Sequence, residues 1–222
     1  MKLTIKDSGK AAKADLLAVL VPAGETPSLP AGVEVAAGFL DGFDGEARAT
    51  RTTFASAGPA GQVMLVGLGD ADAVDAEGLR RAAAIAAKAA VKAKARTVHV
   101  EVHAGACGPE DAGRAAAEGA LLATYSYDES KSAPKASPLR TVSIGGPGAA
   151  FRRGAREGEV LAAASAFTRD LQNGAGNVVT PSRLAKEARA IARRHPRMTA
   201  KVMDEAAMRK AGMGLLLGVS AG

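Results

Sequence analysis

The chain has 222 residues, of which 47% are hydrophobic but only 3% aromatic, so we expect a core of closely packed small side chains. Its 29 Lys and Arg residues outnumber its 23 Asp and Glu residues, and the net charge of +6 favours acidic partners in general. The single cysteine, Cys107, excludes an intramolecular disulfide framework. We expect a cytoplasmic protein, since there is no signal-peptide core and no run of about 18 apolar residues.

Strands and helices are predicted to alternate over residues 1–150. Apolar or alternating runs predict strands at 3–6, 15–21, 62–66, 97–103 and 141–144. Helices are predicted from the N-cap Asp75 to about 94, from Gly108 to about 125, and from about 151 to 171. Segments 22–32 and 128–139 contain many loop-forming residues. This alternation predicts an α/β fold with a mostly parallel sheet and helices on both faces.

Residues 168–181 predict the end of one helix, a tight polar turn and the start of another helix. Gly174 and Gly176 supply backbone freedom, and Thr180 followed by Pro181 is a favourable N-cap and first helical position. Further along, the pattern predicts a helix to 194, a strand at 198–203, a helix at 204–211 and an apolar run at 215–219. We interpret this part as an incomplete second αβ unit.

The same stretch resembles a known family. Its pattern Arg-Asp-Leu-x-Asn-x-x-x-Asn-x-x-Thr-Pro is similar to the opening of the catalytic half of the leucyl aminopeptidases, the cytosolic two-metal exopeptidases. The residues that carry this motif are Arg169, Asp170, Leu171, Asn173, Asn177, Thr180 and Pro181. Segments 66–69 with 77–82, 118–125 and 203–214 resemble further family motifs in the family's order. Gln172 and Ala175 depart from the usual valine and proline.

The resemblance implies a fold, an activity and a division of the chain. Residues 1–150 would form a macro-domain-like N-terminal domain, 151–171 a linking helix and 172–222 the start of the catalytic domain. Intact relatives remove N-terminal amino acids from peptides, using water activated by two Zn or Mn ions, and usually assemble as hexamers. Because neither metal-binding motif of the family occurs here, we carry over no catalytic or metal residue. The chain is then expected to act as scaffold and assembly surface, and to be inactive alone.

Two glycine turns raise the question of anion binding. Gly67 and Gly69 follow one predicted strand, and Gly145, Gly146 and Gly148 follow another, each before a helix. Helix N-termini after such turns are common phosphate sites, but neither turn carries a complete phosphate-binding fingerprint. The turns keep open the alternative of a stand-alone module that binds a nucleotide or an ADP-ribose-like ligand.

Two further patterns suggest a zinc site and a DNA-binding face, although each also has a purely structural explanation. His99, Glu101 and His103 share one face of a predicted strand, where a neighbouring pair with Cys107 could hold zinc, although a polar strand face is the more common explanation. Between Arg183 and Lys210, nine basic residues outnumber three acidic ones. Such an excess of positive charge would suit DNA binding. No aromatic residue interleaves these charges, and this favours a solvated helix face.

Overall fold

The computed structural model describes residues 1–10, 13–102, 107–134 and 136–220. The chain forms two compact units, Met1–Asp170 and Leu171–Gly222. The division into 1–150, 151–171 and 172–222 remains a prediction.

The first unit is organised around a seven-stranded sheet. Its strands are β1 (Lys2–Asp7), β2 (Ala14–Ala23), β3 (Glu34–Val35), β4 (Thr50–Ala57), β5 (Ala60–Asp70), β6 (Thr97–Glu101) and β7 (Thr141–Gly146). Across the sheet the order is β1-β7-β6-β2-β5-β4-β3. The first five of these are mutually parallel, whereas β4 and β3 are antiparallel additions at one edge. The predicted α/β class with a mostly parallel sheet is confirmed.

Three helices cover one face of this sheet: α1 (Ala76–Lys92), α2 (Pro109–Leu122) and α3 (Gly148–Asn173), the last of which runs past the boundary at Asp170. The core on this face joins inward side chains of the strands, such as Leu16 and Val100, to buried helix residues. Most of the buried positions on α1 and α2 are alanine. The expected core of small side chains is therefore present here.

The opposite face is built differently. Its core combines Leu17, Val19 and other residues of β2 and β5 with side chains from segment 29–55, and the described residues of this cluster include none from a helix. The prediction of helices on both faces therefore holds for one face only. Segment 29–55 contains β3 and most of β4, two strands that the sequence did not predict. Strand β5 extends to Asp70, beyond its predicted end at 66, because Gly67 and Gly69 hydrogen-bond to residues 45–49.

The second unit contains helices α4 (Pro181–Arg194), α5 (Glu205–Lys210) and α6 (Gly214–Ser220). The strand predicted at 198–203 is wrong, since these residues have no regular structure, and the apolar run at 215–219 is helical. A strand needs a neighbour to satisfy its backbone groups, and the described part of this unit contains no strand. Among the described residues of the whole chain, no helix has the length and apolar character needed to cross a bilayer.

Candidate functional site

The candidate site is the stretch 169–181 that carries the family motif. At the C-terminal end of α3, two of its residues contact the segment after α2. The hydroxyl of Tyr125 donates a hydrogen bond to Asp170 Oδ1 at 2.8 Å. The guanidinium carbon of Arg169 lies 5.5 Å from the centroid of the Tyr125 ring, within range of a cation–π interaction. These two contacts, worth on the order of 1–2 kcal/mol together, fix the end of α3 against the end of α2.

The rest of the motif forms the helix ends and turn that the sequence predicts. Leu171 and Asn173 lie in the last turn of α3, and Asn177 is exposed in the following turn. The amides of Val178 and Val179 donate to the carbonyl of Ala175 and close this turn. The predicted start of the next helix is confirmed: Thr180 accepts a hydrogen bond from the amide of Arg183, and Pro181 is the first residue of α4.

We expect the substitution Tyr125→Phe to loosen the end of α3 without unfolding the first unit. It removes the hydrogen bond to Asp170 but keeps the aromatic face beneath Arg169, so the loss should be about 1 kcal/mol, or roughly 2–4 °C in Tm. Hydrogen exchange at 166–173, measured together with thermal unfolding, checks this. Tyr127→Phe is the matched control, because no hydrogen bond of the Tyr127 hydroxyl occurs among the described residues. Equal effects of the two changes would contradict the assigned contact.

The turn at Gly67 and Gly69 is occupied by backbone pairing. The amide of Gly67 donates to Ala49 at 2.8 Å and that of Gly69 to Gly45 at 2.9 Å, so neither points to a free anion site. A Cβ on Gly67 would clash with the carbonyl oxygen of Glu46, which explains the need for glycine. A nearby cavity of about 300 Å³ has arginine and carboxylate side chains in equal number in its lining, and this gives no preference for anions.

Gly145 and Gly146 also have packing reasons for the absence of a side chain. A Cβ on Gly145 would collide with the Glu101 carboxylate, and one on Gly146 with the Phe151 ring. Both glycines belong to β7, whereas Gly148 begins α3 with a φ of 74°. Anion binding at these glycines stays a prediction without structural support.

A buried hydrogen-bonded cluster lies beside Gly145. His99 is 0% exposed, Glu101 3% and Ser143 6%. His99 Nδ1 is 3.0 Å from Ser143 Oγ, and its Nε2 is 3.1 Å from Glu101 Oε2. The other oxygen of Glu101 accepts hydrogen bonds from the Ser8 hydroxyl at 2.6 Å and the Gly9 amide at 2.7 Å. This chain of contacts links β7, β6 and the segment after β1.

The contacts of this cluster argue against zinc binding on this strand. The two ring nitrogens of His99 are engaged by Ser143 and Glu101, and His103 lies outside the described residues. Burial raises the pKa of Cys107, and the Asp111 carboxylate raises it further, so the thiol is disfavoured as a thiolate. The sequence placed His99 and Glu101 on one face but did not identify Ser8 or Ser143 as their partners.

The acidic residues of the second unit do not fit a two-metal centre. Glu187 pairs with Arg183 at 2.8 Å, Asp204 caps α5 by accepting from the Ala207 amide, and Glu205 lies 3.9 Å from Arg209. Over the described ranges, no three potential ligands from His, Cys, Asp and Glu form a group that could hold a metal ion. A two-metal hydrolase needs several converging carboxylates, so these residues supply no such site.

Comparison with known proteins identifies two domains of one peptidase family in this chain. The model for the cytosol aminopeptidase family, N-terminal domain, matches residues 39–134. The model for the cytosol aminopeptidase family, catalytic domain, matches residues 166–222, which begin at the end of α3. An N-terminal domain is thus followed by a segment that matches part of a peptidase catalytic domain. The chain belongs to the cytosol aminopeptidase family.

Curated relatives agree with this family. The chain is 34% identical over 174 residues to a probable cytosol aminopeptidase of Alkaliphilus metalliredigens, a match that covers 74% of this chain and 34% of that relative. It is also 34% identical over 161 residues to a probable cytosol aminopeptidase of Solibacter usitatus, covering 72% and 33% respectively. The chain therefore spans about a third of the length of these curated relatives.

Solved structures share the fold. The bottromycin maturation enzyme BotP matches with a TM-score of 0.73 at 29% identity, over 89% of this chain and 41% of that one. A tomato leucine aminopeptidase mutant matches with a TM-score of 0.76 at 23% identity, over 94% of this chain and 46% of that one. The second likeness concerns the fold alone. Both agree with the α/β fold predicted from the sequence.

Proposed function

We propose that the chain is the N-terminal scaffold and the start of the catalytic domain of a leucyl aminopeptidase-like metallopeptidase. In that role it holds the catalytic domain in place, while hydrolysis depends on residues outside this sequence. The observation that carries this proposal is the match of two models of one family in consecutive parts of the chain, the second of which begins within the last turns of α3.

The surface of the second unit supports a role that needs further protein. None of its described residues is buried, and several large apolar side chains are exposed. These are Val178, Leu184, Met198, Val202, Met213, Leu215, Leu216 and Val219. Exposed apolar side chains in this number mark a surface that another element covers. In our proposal, the remaining catalytic domain of such an aminopeptidase covers them.

The metal chemistry belongs to that remaining part. One structure of BotP is in complex with Mn. In an intact relative of this family, two Zn or Mn ions would activate a water that attacks the peptide bond. Since the carboxylates of the second unit are engaged in capping and ion pairs, and the described residues bring no group of metal ligands together, we assign the chain no metal ligand and no step of the reaction. Peptide substrates, a homohexamer and a cytoplasmic location are further parts of the proposal.

The alternative of a stand-alone nucleotide- or DNA-binding module gains nothing from the features that suggested it. The Gly67 and Gly69 amides are paired, and Gly145 and Gly146 make room for neighbouring side chains. On α4, Arg183 is paired with Glu187, and the other basic residues lie along exposed helix and coil. These observations favour the scaffold over the module.

We expect the purified 222-residue chain to show no hydrolysis of leucine p-nitroanilide with excess Mn²⁺ or Zn²⁺, because the residues that the structure describes bring no metal ligands together. A chimera in which this chain replaces the corresponding third of the Alkaliphilus metalliredigens relative should regain turnover, and a chelator should abolish it. The intact relative assayed in parallel is the positive control. Turnover by the chain alone that is lost on chelation would contradict the proposal.

A further inference from the structure

The face of the sheet opposite α1 and α2 has a polar half that the proposed function does not use. The backbone register places Thr4 of β1, Ser143 of β7 and His99 of β6 in one row across the strands. The same row continues into Leu17 on β2, where the apolar core of this face begins. A parallel sheet is normally covered on both faces, so a polar half on one face calls for an explanation.

A cavity of about 440 Å³ opens on this polar half. Three lysines line it: Lys6 at the end of β1, and Lys10 and Lys13 from the segment that leads to β2. None of the described residues in the lining is acidic or aromatic. The described lining therefore has a positive charge and no aromatic side chain on which a ring could stack.

Residues with hydroxyl groups form the floor of the same cavity. They are Thr4, Thr97, Thr141 and Ser143, and they come from three neighbouring strands. Thr97 Oγ1 already accepts a hydrogen bond from the Asp15 amide at 2.9 Å. Hydroxyls can donate to an anion and adapt their orientation to it. Lysines above hydroxyls form a lining suited to the oxygen atoms of a phosphate group.

The buried cluster beneath the cavity organises this lining in advance. Ser143 is 6% exposed, and His99 holds its hydroxyl at 3.0 Å. Glu101 holds His99 and also binds Ser8 and Gly9, which directly precede Lys10. One chain of hydrogen bonds, buried at His99 and Glu101 and exposed at Ser8 and Gly9, therefore holds both a hydroxyl of the floor and the residues next to Lys10. This arrangement lowers the entropic cost of binding a small ligand.

Three carboxylates lie near these lysines: Asp7, Asp15 and the Glu101 of the buried cluster. Asp7 Oδ2 lies 3.7 Å from Lys10 Nζ, while Asp7 Oδ1 forms an ion pair with Arg152 Nη1 at 2.5 Å. The Asp15 carboxylate accepts hydrogen bonds from the backbone amides of Arg96 and Thr97 at 2.7 and 2.9 Å. A second opening of about 600 Å³ shares Lys13 with the first and adds Arg96 and Arg140. The basic side chains around the two openings outnumber the acids.

We propose that this cavity, named here the lysine cavity and lined by Lys6, Lys10, Lys13 and Ser143, binds a small molecule through a phosphate or diphosphate group. Its volume falls in the range of small-molecule sites, roughly 300–1,000 Å³. Because its described lining has no aromatic side chain, recognition depends on the phosphate and not on a base. The site lies within the first unit and does not depend on the peptidase assignment.

Isothermal titration of the full chain with pyrophosphate, with ADP and with orthophosphate tests this. We expect pyrophosphate and ADP to bind with similar affinity, since no stacking surface favours the nucleoside. Changing Lys6, Lys10 and Lys13 together to alanine should weaken pyrophosphate binding by at least about tenfold, because ion pairs and hydrogen bonds to the charged groups are lost. The matched control changes Lys92, Lys186 and Lys201 to alanine; all three are exposed and lie outside the cavity lining.

The control variant carries the same change in net charge, so equal weakening in both triple variants would overturn the site. Absence of pyrophosphate binding by the unmodified chain at low salt would overturn it too, as would binding of duplex DNA without binding of pyrophosphate or ADP. Ser143→Ala separates floor from wall: we expect about a threefold or greater loss of affinity, and a Tm of the ligand-free protein that is lower by roughly 2–6 °C because His99 Nδ1 loses a buried partner. An unchanged affinity would remove Ser143 from the site.

Discussion

Replacing Glu101 with alanine is expected to lower the free energy of unfolding of the first unit by about 3 kcal/mol. The Glu101 carboxylate accepts hydrogen bonds from Ser8 and Gly9 and contacts His99, and both it and His99 are buried. Without it, the His99 imidazole loses a partner where water does not reach. Urea unfolding followed by circular dichroism should show a midpoint lower by roughly 1–3 M, given m values of about 1–3 kcal/mol/M.

Glu110→Ala is the matched control for this change. Glu110 pairs with Arg153 at 3.0 Å, but their side chains are 48% and 65% exposed, so its removal should cost less than about 1 kcal/mol. A loss of similar size in both variants would mean that any carboxylate of this unit contributes equally. No loss in Glu101→Ala would show that the buried cluster does not stabilise the fold.

The same carboxylate should make stability depend on acid pH. Burial raises the pKa of Glu101, but hydrogen bonds from His99, Ser8 and Gly9 outweigh it and leave the pKa below the ordinary value of 4.5. A group whose pKa is lower in the folded state stabilises the fold above its unfolded pKa, and that contribution is lost as pH falls through the folded pKa. Wild type should therefore lose stability below about pH 4.5, and Glu101→Gln, which keeps an acceptor but cannot titrate, should have a shallower slope. Parallel slopes in the two proteins would contradict this origin.

The sequence predicted the elements whose ends are set by local chemistry. Asp75, Thr180 and Asp204 each accept a hydrogen bond from an amide three residues along the chain, so their capping roles could be inferred from residue type and spacing. The buried strands β2 and β5 were also predictable, because continuous apolar runs have few other uses in an α/β fold. These features need only information from neighbouring residues.

Features that depend on distant partners were missed. Strand β4 alternates between exposed and half-buried positions and is stabilised by pairing with β5, so its own sequence gives a weak signal. Two partners of Glu101, Ser8 and Gly9, are more than 90 residues away in the chain, which is why His99 and Glu101 were interpreted as a polar strand face. The strand predicted at 198–203 failed for the opposite reason, since its alternation was present without a neighbouring strand among the described residues.

Hydrogen exchange of the monomeric chain is expected to divide at the end of α3. Amides of β2, β5, β6 and β7 should exchange only through openings that cost several kcal/mol, because their side chains are buried on both faces of the sheet. Amides of α4, α5 and α6 should exchange at least about a thousandfold faster, since none of their residues is buried. Mass spectrometry of peptides from 14–101 and from 181–220 measures the difference.

Helix length supports the same expectation. Helix α4 has 14 residues, α5 has 6 and α6 has 7, whereas isolated helices shorter than about 12–15 residues are marginal in water. The Thr180 cap and the Arg183–Glu187 pair of α4 contribute roughly 1–1.5 kcal/mol in sum. Ordering the backbone of each residue costs about 1–2 kcal/mol, so local interactions alone do not hold these helices.

The outcome bears directly on the role of the second unit. If light scattering shows a monomer and both parts are protected equally, the unit has its own source of stability, and the argument from its exposed apolar residues fails. If protection of 181–220 rises with protein concentration, a second copy covers Leu215, Leu216 and Val219. If protection appears only in the chimera with the remaining catalytic domain, that domain is what these side chains pack against. The proposed scaffold requires this last result, because a segment that starts a catalytic domain gains its stability from the domain that it joins.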